Sequence, residues 1–193
     1  MKRTAIILSL SLLVTIITAA VMSSTDLVDA QAQPTPTPST YVDLLDTEIR
    51  GLSPEQIETY RTGGGGGMAL PAELNGYPGP RHVLDLAEEL ELTEVQQAQI
   101  QALYDEMLPE AIDLGNQILA AEAELELAFR ERNIDEAFLE NQLLTIGELQ
   151  ARLRFVYFRT HLATIDILTQ HQVVVYNSLR GYDTENPHAH GGH

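Results

Sequence analysis

The sequence predicts an all-α chain: an elongated four-helix protomer of the hairpin type, built on two long antiparallel helices. Three observations carry this. Apolar residues recur every three or four positions along 94–132 and again along 135–167, the spacing of one helix face. Two copies of one short pattern, Leu92-Thr93-Glu94-Val95-Gln96 and Leu168-Thr169-Gln170-His171-Gln172, frame that stretch, and both read L-T-x-x-Q. A strand reading finds only the β-branched run Val173-Val174-Val175-Tyr176, which follows a helix cap and has no partner strand.

Taken in order, residues 1–32 read as a signal peptide. Lys2 and Arg3 precede an apolar run from Ala5 to Met22, and Ala30-Gln31-Ala32 supplies a small-residue cleavage site. The alternative is an uncleaved anchor, because the run approaches the roughly 17–20 residues of a short membrane span. A cleaved signal implies export to a periplasm, with no membrane association afterwards.

Residues 33–80 form a Pro/Gly-rich linker and N-terminal arm. The proline-spaced stretch 33–40 is extended and unpacked. Val42, Leu45 and Ile49 give a short amphipathic segment, and Ser53-Pro54-Glu55-Gln56 opens a second short helix running to about Arg61. The five glycines at 63–67 lack the Gly-Lys-Ser/Thr of a phosphate loop and read as a flexible hinge. Asn75 to Pro80 is a run of turn formers that closes the arm.

Residues 81–182 form the helical domain. A short helix spans 81–90. Thr93 and Thr169 are N-caps whose hydroxyls accept a backbone N–H one turn in, while Gln96 and Gln172 reach back to the cap's own N–H. With Leu92 and Leu168 these residues act as structural helix starts. The first long stripe runs through Ile100, Leu103, Met107, Ala111, Leu114, Ile118, Ala121, Leu125 and Ala128. Pro109 interrupts one hydrogen bond within it and bends the helix without ending it. A helix over 94–132 is roughly 58 Å long. Arg132-Asn133-Ile134-Asp135 is the break, with Asp135 as the next cap, and so short a connection forces an antiparallel hairpin. The second stripe runs through Phe138, Leu139, Leu143, Ile146, Leu149, Leu153, Val156, Thr160, Ala163 and Ile167. The last helix ends near Arg180, with Gly181 as its C-terminal cap.

Composition narrows the function. The chain has no cysteine, which excludes disulfides, thiolate metal sites and a thiol nucleophile. Its net charge is −17. Losing residues 1–32 removes Lys2, Arg3, Asp26 and Asp29, so the charge is unchanged. Such a field repels nucleic acid and anionic membrane. No G-x-S-x-G, P-loop or Rossmann pattern occurs, and Glu122 with Glu126 lacks the Glu-x-x-His of a dinuclear bundle site, so the expectation is a non-enzyme requiring no cofactor. More apolar residues are present than one hairpin can bury. The surplus belongs either to a homodimer core or to a shallow surface that holds other proteins' exposed segments. Phe129, Phe138, Arg152, Arg154, Phe155, Phe158 and Arg159 are the candidate client-binding residues.

The two L-T-x-x-Q boxes, the helix lengths between them and the Asn133-Ile134-Asp135 break resemble the LTXXQ-motif family of periplasmic proteins, over about 81–182. That family includes the Spy/CpxP-like refolding chaperones and the ZraP-like heavy-metal sensors. The resemblance implies a cradle-shaped antiparallel dimer. It also implies an ATP-independent chaperone or envelope stress-response protein that binds unfolded or misfolded envelope proteins. A sensor kinase is a further partner that the resemblance implies. One feature departs: the Spy-type concave face is basic as well as apolar. Here Glu122, Glu124, Glu126, Glu131, Asp135, Glu136 and Glu140 surround the hairpin end.

The alternative function is periplasmic binding or sensing of zinc, copper or nickel. Its candidate ligands are His188, His190 and His193 in the tail 183–193, which reads as disordered; imidazoles two and three residues apart on a flexible chain can share an ion. His161 and His171 are ten residues apart, about 280° around a helix, and do not share a face. A site that includes them and His82 needs convergence in the fold.

Overall fold

The structure, a computed structural model, describes residues 39–182. The predicted signal peptide, most of the proline-spaced linker and the tail histidines His188, His190 and His193 lie outside them. Among the described residues the regular elements are helical and there is no strand. A 3₁₀ turn, Val42–Asp46, precedes α1 (Pro54–Thr62), α2 (Leu70–Glu73), α3 (Pro80–Asp85), α4 (Glu94–Arg130), α5 (Glu136–Ile167) and α6 (Gln170–Leu179). No helix among these residues is long and apolar enough to cross a membrane.

Local chemistry sets the helix ends. Ser53, Thr93 and Thr169 each accept the N–H of the glutamine three residues on, and Gln56, Gln96 and Gln172 each accept the cap's N–H in return. Asp135 caps α5 by accepting the Phe138 N–H at 2.8 Å. At the hairpin turn the Asn133 N–H reaches the Ala128 carbonyl and the Arg132 N–H reaches that of Phe129. This is a Schellman closure, with Arg132 in the left-handed region at φ 56°. Gly181, at φ 72°, closes α6 in the same way. The predicted helix over 81–90 is shorter in the fold. α3 stops at Asp85, and turns carry the chain to Glu91 at φ 48°. Leu90 there packs with Val83, Ile100, Leu168 and Tyr176.

α4 continues through Pro109, and its 37 residues make a rod about 55 Å long. It packs antiparallel against the 32-residue α5. The buried face of α4 is the predicted stripe: Ile100, Met107, Ala111, Leu114, Ile118 and Ala121. The face of α5 differs. Leu143 is 52% exposed and Gln142 is buried in its place, while His161 and Thr164 rather than Ala163 follow Thr160 inward. Each polar residue brings its own partner, which removes the penalty of burying it. Gln142 Nε2 donates across the hairpin to the Ala121 carbonyl at 2.8 Å. The Thr160 and Thr164 hydroxyls donate to carbonyls four residues back.

The arm folds back onto the hairpin. Ile49 and Ile57 pack against Leu119 of α4. Gly115 makes the approach of α1 possible, because a Cβ there would stand 2.1 Å from the Tyr60 carbonyl oxygen. The glycine run is seated rather than free-standing: the Tyr157 hydroxyl of α5 donates to the Gly64 carbonyl at 3.0 Å.

Candidate functional site

With one face of α5 turned to α4 and the arm, the opposite face is left uncovered among the described residues. Leu144, Ala151, Phe155 and Leu162 are exposed there and Phe158 is half-buried. With Glu148 they recur at alternating steps of four and three, which draws one seam along a helix. Leu144, Phe155 and Leu162 are 66%, 63% and 55% exposed. The predicted arginines flank this seam and pair with it crosswise. The Arg154 guanidinium lies over Phe158 at 5.1 Å and that of Arg159 over Phe155 at 5.9 Å. Arg154 also donates to the Met68 carbonyl of the arm, and Arg159 pairs with Glu110 of α4. Arg152 is exposed and makes no ion pair among the described residues.

The other two predicted residues sit apart, near the hairpin tip. Phe129 is exposed and lines a concavity with Arg50, Glu122, Leu125, Glu126 and Arg130. Glu126 there pairs with Arg130 at 3.4 Å and lies 3.9 Å from Arg50, while burial pushes the Glu122 carboxyl above the usual range. Phe138 is half-buried in the first turn of α5.

The motif residues meet each other at the opposite end. Gln96 Nε2 donates to Gln172 Oε1 at 2.9 Å, and Gln172 Nε2 donates back to Gln96 Oε1 at 3.1 Å. Their second N–H groups go to the Ile167 and Leu90 carbonyls. Leu92 and Leu168 pack in the same apolar cluster beneath.

A polar centre that no sequence pattern marks gathers around Glu73. Glu73, at the end of the four-residue α2, is 5% exposed. The Tyr176 hydroxyl donates to its Oε1, Tyr182 donates at 3.3 Å, and the Gly79 N–H donates to Oε2 at 3.2 Å. Arg180 Nε and His82 Nδ1 stand 3.7 and 3.5 Å from Oε1, and His161 Nδ1 stands 3.8 Å from Oε2. The convergence of His82 and His161 that the sequence could not supply therefore occurs, around a carboxylate; His171 stays exposed on α6. Among the described residues no group of three His, Asp or Glu is arranged to hold a metal ion. Burial, then the bond to Glu73, holds the Tyr176 phenol far above the ordinary tyrosine range. Burial pushes Tyr157 up to about 12, with Tyr104 and Tyr60 adding to the effect. Nothing in the local pattern Leu70-Pro71-Ala72-Glu73 marks the glutamate, because its partners lie up to 109 residues away.

Comparison of the chain with protein-family models, with curated proteins and with solved structures finds no match.

Proposed function

We propose that this protein is a periplasmic, nucleotide-independent binding protein of the chaperone or envelope stress-response type, which holds partly unfolded proteins on the outward face of α5. The observation that carries the reading is the seam of Leu144, Ala151, Phe155, Phe158 and Leu162, apolar and accessible beside Arg152, Arg154 and Arg159. An uncovered stripe that is apolar except for Glu148 is a surface for another chain. Arg152, unpaired among the described residues, offers charge and planar stacking to acidic and aromatic client segments in a chain whose net charge is −17. The L-T-x-x-Q resemblance points the same way.

The test is aggregation of a chemically denatured protein diluted into buffer with stoichiometric amounts of the chain from residue 33 onward. The expected result is delayed light scattering, weakened by Leu144→Asp or Phe155→Asp. Absence of protection for both an acidic and a basic client would overturn the reading. So would equal protection by the two Asp variants.

The alternating four-three spacing favours a second reading of the same face, as the seam of an antiparallel homodimer. Sedimentation across a hundredfold range of concentration separates the two. If the dimer forms and protection falls as it fills, the second copy and the client compete for one stripe.

A further inference from the structure

The arm, α3, α4, α5 and the end of α6 enclose a cleft of about 330 Å³ beside Glu73. We propose that it is a binding site for a small hydroxylated aromatic monocarboxylate. Some of its lining groups are already satisfied and others are not.

Glu73 itself is satisfied. Two phenols and a backbone N–H donate to it, and Arg180 balances its charge. The unused groups lie around it. Arg81 lines the cleft and has no ion pair or hydrogen bond among the described residues. It is thus a surplus cation in a strongly acidic chain, beside the imidazole of His82. His161 is 8% exposed, and its Nδ1 lies 2.7 Å from the Tyr77 carbonyl. A carbonyl only accepts, so Nδ1 donates there and Nε2 is the ring nitrogen left without a partner among the described residues. That edge of the ring lies against Gly79, where a Cβ would come within 3.0 Å of Nε2. Tyr104 and Met107 supply aromatic and apolar wall.

Each unused group selects part of a ligand. The guanidinium takes a carboxylate, and a charge-assisted pair of this kind is strong. The unpartnered Nε2 of His161 takes a hydroxyl. Met107 and Tyr104, in the same lining, take a flat apolar body. The volume lies near the floor of the usual range for small-molecule sites, roughly 300–1,000 Å³, which fits a metabolite and not a peptide. The site is separate from the α5 seam and does not depend on the client-binding reading.

The probe is 4-hydroxybenzoate, titrated into the full chain by calorimetry and by tyrosine fluorescence, which no tryptophan obscures. The expected result is saturable one-site binding that Arg81→Ala weakens about tenfold or more, the loss of one hydrogen bond to a charged group, with the unfolding midpoint unchanged. The neutral 4-hydroxybenzyl alcohol and benzoate, which lacks the hydroxyl, should each bind more weakly than the parent. Three results would overturn the proposal: no binding at millimolar probe, equal affinity in the Arg81→Ala variant, or inorganic phosphate binding as tightly as the aromatic acid. The last would mean an anion site with no use for the apolar wall.

Discussion

Gln96 and Gln172, 76 residues apart, hold each other by two antiparallel amide hydrogen bonds while each also closes its own helix cap. One side chain therefore does two jobs, and its loss leaves several groups unpaired. Replacing either by alanine removes a cap, about 1 kcal/mol, and strands the opposite amide and a backbone carbonyl. We expect each single variant to lose about 2–3 kcal/mol in urea unfolding. The double variant should lose less than the sum by about 1 kcal/mol. Strict additivity would show that the boxes act as independent caps.

Gly115 and Gly147 make opposite predictions for one substitution. A Cβ at Gly115 meets the backbone of Tyr60, whereas one at Gly147 meets nothing within 4 Å. Gly115→Ala should cost about 1–3 kcal/mol by forcing α1 off α4, and should speed proteolysis in the glycine run. Gly147→Ala lies in open space on α5 and should stabilise by about 0.5–1 kcal/mol. Equal effects at the two sites would mean that the arm does not rest on Gly115.

Tyr157 sets a limit at alkaline pH. Its phenol ionises near 10 in the unfolded chain and is pushed up to about 12 in the fold. The folded state therefore keeps the proton longer. This contribution is whole below pH 10 and is lost as pH rises from 10 to 12, at about 1.4 kcal/mol per pH unit. Tyr176 and Tyr60 are raised as well and add in the same direction. Denaturant midpoints measured from pH 9 to 12 should fall, and Tyr157→Phe should flatten the fall. An unchanged slope in that variant would remove Tyr157 from the account.

Arg132 pays a backbone penalty at the hairpin turn. It is exposed, at φ 56°, where a side chain costs about 1–2 kcal/mol. Arg132→Gly should raise stability by about 1 kcal/mol, read as a higher denaturant midpoint with unchanged helix content by circular dichroism. A lower midpoint would show that the side chain is held by something beyond its charge.

How much of the fold is legible in the chain follows the range of the interactions that make it. Caps act within four residues, so Ser53, Thr93, Asp135, Thr169 and Gly181 could all be placed from the chain alone. The α4 stripe was legible for the same reason: its buried residues are apolar at helical spacing. At Leu143 and Gln142 the α5 pattern misleads, because hydropathy does not register that the Ala121 carbonyl accepts an amide from across the hairpin. Phe155, Phe158 and the flanking arginines were readable as residues, but not their crosswise pairing. Glu73 was invisible, since a buried carboxylate is made tolerable only by side chains that arrive from far along the chain.

That last separation has a temporal meaning. Glu73 finds its phenols and guanidinium at Tyr176, Arg180 and Tyr182, more than a hundred positions later. Long-range closure of this kind is slow compared with the local winding of a hairpin. A ribosome must therefore deliver the chain as far as Tyr176 before this carboxylate meets the first of its phenols. Until then Glu73 lacks both phenols, and a chain truncated before Tyr176 never acquires them.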